Sequence, residues 1–270
     1  MDEHEYLPDV DRLSVVASTI LLAYALIPFL QLAPRTITIQ LGASIFVFPF
    51  TFSDLISVMV AAMAAFGAEW LLQTHPHVKG QSTWQHMILP AMTAWVIGIP
   101  LSNLEPGVSW WAVFGFGGLL LILVFLAEFI VLDLTDTRHV QAVVGLTAVS
   151  FALFLVVAIV VRTAEPRLYL QLPALVATLG VVALRTIYLR LGGRWSLAWS
   201  AVIAIFVGQL AVGLHYLPVS PLRFGLLLLG PAYALTNIAA SVEEGRTWQE
   251  YWVEPAVMLG LMWVLSILVG

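Results

Sequence analysis

Val108-Ser-Trp-Trp-Ala-Val-Phe-Gly-Phe-Gly-Gly-Leu-Leu-Leu-Ile-Leu-Val-Phe-Leu-Ala-Glu-Phe-Ile-Val-Leu132 runs for 25 residues with a single ionisable side chain, Glu128. A helix needs about 20 mainly apolar residues to cover the hydrocarbon of a bilayer. Inside lipid every backbone polar group must find its partner within the protein, which leaves helices or closed barrels. The run lacks the alternation of a barrel strand, so it reads as a helix. Working outward, similar stretches fall at about 13–33, 53–73, 84–102, 140–161, 171–190, 195–216, 222–241 and 253–269. The expected fold is therefore all-α, a polytopic transmembrane bundle of about nine helices (eight if the last two stretches give one crossing), forming a single domain over 1–270.

Composition agrees. Of 270 residues, 61% are hydrophobic and 10% charged, with a mean hydropathy of +0.97. Soluble domains carry about 25% charged residues, because their exterior must be wetted. The expected surroundings are the lipid bilayer and other membrane subunits. A net charge of −5 lacks the basic face of a nucleic-acid binder. With no cysteine, thiolate chemistry and cysteine-based metal centres are excluded. The acidic start, Met1 to Asp11, has no basic region or cleavage site of a secretory signal, so the first helix is expected to be retained as a signal anchor.

One stretch differs in character. Thr36-Ile-Thr-Ile-Gln-Leu41 alternates, Gly42-Ala-Ser44 offers a turn, and Ile45-Phe-Val-Phe-Pro-Phe50 is rich in β-formers. The pattern is a short hairpin near 36–50, expected at the membrane interface as a flap or as a lid over a cavity. With nine crossings, Arg12, Lys79, Arg138, Arg185, Arg190, Arg194 and Arg246 share the side of the N-terminus. Arg35, Arg162, Arg167 and Arg223 lie opposite. This bias favours a cytoplasmic N-terminus and a multi-pass protein of the cell (inner) membrane.

The chain also repeats itself. Arg12-Leu-Ser14-Val-Val-Ala-Ser18 is similar to Arg194-Trp-Ser196-Leu-Ala-Trp-Ser200. Gly80-Gln-Ser-Thr-Trp84-Gln85 precedes Pro90-Ala91 as Gly245-Arg-Thr-Trp248-Gln249 precedes Pro255-Ala256. The matches are polar or rare residues, which shared hydrophobicity does not produce. They imply parallel repeat units at about 12–102 and 194–270, since the units start an even number of crossings apart.

Ionisable groups inside a span are costly and default to functional candidates. Glu69, Glu128, Arg185 and Glu254 lie near helix ends in one half of the membrane. His75, His77, His86, Asp133, Asp136, His139 and Glu243-Glu244 share that face, while Asp54, Glu105, Glu165 and His215 scatter over the other. Either the first four line a polar cavity, with Arg185 paired to Glu128 or Glu69, or each reaches headgroups from its own helix end. Trp84, Gln85, Trp248 and Gln249 either anchor the interface or face one another across the repeat axis and line a site. The midplane holds mild polar groups, Ser18, Thr147, Thr178, Ser200 and Gln209. Pro90, Pro100, Pro231 and Pro255 are expected to kink their helices.

No reactive constellation stands out, so catalytic, cofactor and metal sites are all expected to be absent. No HExxH is present, and His75-Pro-His77 lacks helical ligand spacing. Glu243-Glu-Gly-Arg246 departs from the motif of glutamate-dependent intramembrane proteases, which places Arg four positions after the second Glu. The ranking that follows is a structural or assembly subunit of unknown role, then a transporter or channel for a neutral or lipid-like molecule, then a membrane enzyme. The ribbon pattern after the first helix, His75-Pro76, and Trp84-Gln-His86 with Leu89-Pro-Ala91 together resemble uncharacterised families of bacterial polytopic membrane proteins. That resemblance covers about the first third of the chain and implies no activity.

Overall fold

In the computed structural model, which describes residues 8–29, 35–41, 44–75, 83–164 and 167–269, the long apolar runs are helices. They fall into two compact units, Met1–Ala142 and Val143–Gly270. Residues 1–7 of the acidic start, the Gly42-Ala43 turn, His77, Lys79, Gly80 to Ser82 and Glu165 lie outside the described residues.

The first unit holds α1 (Val10–Leu26), extended by a 3-10 turn over Ile27–Phe29, then strands β1 (Arg35–Leu41) and β2 (Ser44–Phe50), α2 (Phe52–Leu72), a 3-10 turn at Trp84–His86, α3 (Ile88–Asn103) and α4 (Val108–Val131). The start of α1 is set by Asp9, whose side chain accepts from the Asp11 amide at 3.0 Å. Thr51 and Asp54 form a reciprocal capping box at the start of α2. β1 and β2 pair antiparallel, with Arg35 opposite Phe50 and Leu41 opposite Ser44. Small residues let the helices of this unit approach: a Cβ at Gly98 would lie 2.7 Å from Ser57 Oγ, and one at Gly117 would lie 2.6 Å from Ile97 Cγ2. Trp110, 2% exposed, gives its indole N–H to the Leu101 carbonyl at 3.1 Å, and the Tyr24 hydroxyl donates to the Ala94 carbonyl.

α5 (His139–Thr163) begins at the end of the first unit and runs into the second, which continues with α6 (Leu168–Arg190), α7 (Leu197–His215), α8 (Pro221–Glu243), the four-residue α9 (Trp248–Tyr251) and α10 (Val253–Leu268). Contacts within this unit fix the directions of its helices. Gly225 on α8 meets Leu155 and Ile159 on α5, Arg223 donates to the Ser266 carbonyl of α10 at 2.9 Å, and His215 of α7 meets Gln171 of α6 at 2.7 Å. α5 and α10 therefore run antiparallel to α8, and α7 antiparallel to α6.

Seven of the described helices, α1 with its 3-10 extension, α2, α4, α5, α6, α7 and α8, are long and apolar enough to cross a membrane. In the most apolar stretch of each, only 28–61% of residues are buried within the chain's own packing. Large apolar side chains such as Phe66, Phe116, Ile205 and Ile267 are exposed. Such a surface marks a membrane protein.

The expected nine spans are thus seven long helices and two short ones. α3 and α10 have 16 residues each, which at 1.5 Å per residue reaches about 24 Å against the ~30 Å of a bilayer core. Both lose length at the start. The residues at Trp84–His86 wind as a 3-10 turn, and the corresponding Trp248–Tyr251 forms a separate turn, α9. Pro90 and Pro255 are each the third residue of their helix. A missing N–H breaks no helical bond there, so these two prolines start helices rather than kink them. Pro100 and Pro231 lie inside α3 and α8, and Pro173 lies inside α6.

The link from α4 to α5 is tied by Asp136. Its Oδ1 accepts from the Arg138 amide at 2.7 Å, and its Oδ2 accepts from Arg138 Nη2 at 3.0 Å. The Arg138 hydrogen bond holds the Asp136 carboxyl below its ordinary 3.8. A depressed carboxylate stabilises above its ordinary value, and that contribution disappears as pH falls through the lowered one. Asp136→Asn should therefore lower stability at pH 7 by up to about 1 kcal/mol, and the loss should shrink as pH falls below the ordinary carboxylate range, compared by thermal unfolding at neutral and acid pH. An equal loss at both would show that the charge plays no part.

Candidate functional site

Polar side chains gather at one end of each unit. In the first unit, Arg12 at the start of α1 donates to the Trp70 carbonyl near the end of α2 at 2.9 Å, with its guanidinium carbon 4.9 Å from the Trp70 ring centroid. Glu69 sits beside it, half-buried. At the same end, His86 Nδ1 lies 2.7 Å from Glu128 Oε2, joining the turn before α3 to the last turns of α4. Both side chains are buried, at 6% and 1% exposure. His75, also buried, packs edge-on against Phe129 at 4.7 Å. At the opposite end of this unit a hollow of about 420 Å³ includes Thr51, Asp54, Asn103 and Glu105, but the Asp54 carboxylate is committed to the α2 cap.

In the second unit the polar end is built on α8. Tyr233, Asn237 and Ser241 recur every four residues and so share one helix face, which Glu244 continues at the end of the helix. Arg190, the last residue of α6, is clamped there. Its Nε donates to Glu244 Oε1 at 2.6 Å and its Nη2 to Glu244 Oε2 at 3.2 Å and Ser241 Oγ at 2.8 Å, while Nη1 donates to Asn237 Oδ1. Glu254, at the start of α10, accepts from the Tyr233 hydroxyl at 2.7 Å and from Asn237 Nδ2 at 3.0 Å, both on Oε1. Glu243 closes the set on the α7 side, accepting from Trp199 Nε1 at 3.0 Å and lying 3.6 Å from Arg194.

Arg190, Tyr233, Asn237 and Glu254 border a cavity of about 630 Å³ walled by α5, α6, α8 and α10. Arg190, Asn237 and Glu254 edge it at the end where α6 and α8 finish and α10 begins. Toward the other end the walls are apolar, with Leu155, Leu229, Met258 and Met262. The Thr186 hydroxyl is buried on this wall and has no hydrogen-bond partner among the described residues. A mostly apolar cavity with a few convergent polar groups is the usual form of a small-molecule site.

The four predicted cavity residues are divided between the units. Glu69 and Glu128 stand at the polar end of the first; Arg185 and Glu254 belong to the second. Arg185 is 1% exposed, its guanidinium carbon 5.3 Å from the Tyr188 ring centroid. Of the four, Glu254 lines the large cavity. Trp84 and Trp248 are exposed, and each opens the short turn that precedes a 16-residue helix. Reading the sequence missed Tyr233, Asn237, Thr186 and the clamp on Arg190. The four-residue polar spacing along α8 was the signal that could have found them. Among the described residues no group of three His, Asp or Glu side chains could hold a metal ion.

No curated protein and no solved structure matches this chain. A family model matches residues 32–269, which takes in the second unit to Val269, the first unit apart from α1 and its extension, and every residue of the cavity. The chain belongs to the family described as "Protein of unknown function (DUF5656)".

Proposed function

We propose that this is a multi-pass membrane protein that binds a lipid-like small molecule in the cavity of its second unit, as the binding step of moving or handling that molecule. The observation that carries the reading is the cavity itself: about 630 Å³, apolar along most of its walls, with Arg190, Asn237 and Glu254 at one end. An amphiphile matches that division, its chain against Leu155, Leu229 and Met262 and its head at the polar end. The volume lies within the range typical of small-molecule sites, about 300–1,000 Å³.

Parallel duplication fits the same reading. Arg12 reaches the end of α2 and Arg194 reaches Glu243 at the end of α8, so the two matched arginines make matched contacts within their own units. In each proposed repeat, 12–102 and 194–270, two long helices precede a short turn beginning at Trp and a helix of 16 residues. The basic residues favour a cell (inner) membrane location with the N-terminus facing the cytoplasm. Reporter fusions to the loops before α3 and before α4 would read this directly, and a periplasmic signal from the loop before α3 would reverse it.

A structural or assembly subunit remains the second reading, favoured by α10, where only Pro255 and Ser266 are buried within the chain. Stoichiometric co-purification of another membrane protein would support it.

The cavity is tested by binding of a fluorescent acylglycerol to the protein purified in maltoside. Wild type should bind saturably. Ala152→Trp, which places an indole on the cavity wall where Ala152 is exposed, should weaken binding at least about tenfold while keeping the unfolding midpoint within a few degrees. Absence of saturable binding, or equal binding by the filled variant, would remove this function.

A further inference from the structure

We infer that the polar end of the cavity selects an amphiphile with an ammonium head. This rests on the cavity being a ligand site and adds the chemistry of what enters it.

Ion pairing leads to that class. Two carboxylates, Glu244 and Glu254, and two guanidiniums meet at this end, and both guanidiniums go to Glu244, with Arg246 Nε 2.7 Å from its Oε2. Arg190 spends its charge on Glu244 through a two-point ion pair, and its remaining N–H groups go to Asn237 and Ser241. That leaves Glu254. Among the described residues no cation pairs with its carboxylate, and the donors that reach it, Tyr233 and Asn237, are both neutral and both on Oε1. Glu254 is exposed at the cavity rim, so a cation entering there can meet its carboxylate without first displacing another cation. An incoming anion would meet the same carboxylate as repulsion.

Aromatic placement points the same way. Tyr233 and Phe151 line the cavity together, ring centroids 5.2 Å apart and edge to face. Carboxylate and aromatic faces in one pocket are the combination that holds ammonium groups, the rings attracting the cation through their quadrupoles. A second, independent feature is the buried Thr186 hydroxyl, which lines the cavity without a hydrogen-bond partner among the described residues. It can accept from an N–H head or hold the water that accompanies one.

The test is competition for the fluorescent acylglycerol by dodecyltrimethylammonium, dodecanol and dodecyl sulfate. On wild type the ammonium compound should compete about tenfold more strongly than the alcohol, with the sulfate weakest. On Glu254→Gln, which keeps an oxygen for Tyr233 and Asn237 and removes the charge, the ammonium advantage over the alcohol, read relative to that variant's own acylglycerol affinity, should vanish. Comparing variants cancels each competitor's partitioning into the micelle. Dodecylphosphocholine separates the two sources of such a head: equal strength to the ammonium compound indicates a lipid headgroup, and weaker competition a free amine. A wild-type ranking with alcohol at or above ammonium, or an unchanged ranking in Glu254→Gln, overturns the inference and leaves the cavity standing. No acylglycerol binding at all overturns the cavity reading instead. The wild-type ranking decides the matter even if Glu254→Gln does not fold.

Discussion

Glu128→Ala should cost about 3 kcal/mol of stability, measured by unfolding in mixed maltoside and dodecyl sulfate micelles. The glutamate and His86 are both buried, and their 2.7 Å hydrogen bond joins α4 to the turn that starts α3. Truncation removes the acceptor from a buried ring nitrogen and also empties the volume of the side chain. Glu128→Gln keeps an acceptor of the same shape and should cost less, about 1 kcal/mol. His86→Ala should cost nearly as much as Glu128→Ala, and the double variant should lose clearly less than the sum, because the two changes delete one interaction. Glu69→Gln is the control. Its carboxylate is half-buried and accepts no hydrogen bond among the described residues, so it should move stability by less than about 0.5 kcal/mol. Fully additive losses at 86 and 128 would show that the pair is not coupled.

A similar cost is expected from Gly225→Val, through packing. A Cβ at this position would stand 2.7 Å from Leu155 Cδ1, 3.2 Å from Ile159 Cγ1 and 3.6 Å from the Leu155 carbonyl oxygen. The leucine methyl could turn aside for the Cβ alone, and the backbone oxygen at 3.6 Å is already in contact with it. Valine adds two further methyl groups to that seam. The expected loss is about 3 kcal/mol, at the upper end for overpacking of a closely fitted interface. Since α5 and α8 also wall the cavity, acylglycerol binding should weaken in the folded fraction. Gly213→Ala, where a Cβ meets nothing within 4 Å, should leave stability and binding near wild type. Equal tolerance at 225 and 213 would contradict the close approach of α5 and α8.

Much of the helical scaffold was legible because lipid leaves the backbone little choice. The predicted runs 108–132, 140–161 and 222–241 correspond to Val108–Val131, His139–Thr163 and Pro221–Glu243. The ends were harder where Thr, Trp and Pro adjoin. At 84 and 248 the interface permits turns that the hydrocarbon forbids, and hydropathy alone does not tell a helical start from a 3-10 turn. Site residues were legible by type but not by partner. Glu128 and Glu254 stood out as charges at helix ends. His86 is 42 positions from Glu128, and nothing along the chain says which face of α4 turns toward it. Helices apolar on every side carry no stripe to orient them. On α8 the polar residues do form a stripe, at 233, 237 and 241, and there the facing side could have been read.

The shortness of α3 and α10 has a consequence for the bilayer rather than for the protein. Where a helix covers about 24 Å, the surrounding acyl chains must compress or headgroups and water must sink to meet its ends. Because Glu254 is the second residue of α10, such a dimple would form at the polar rim of the cavity. A head could then exchange with the aqueous phase there without leaving polar surroundings.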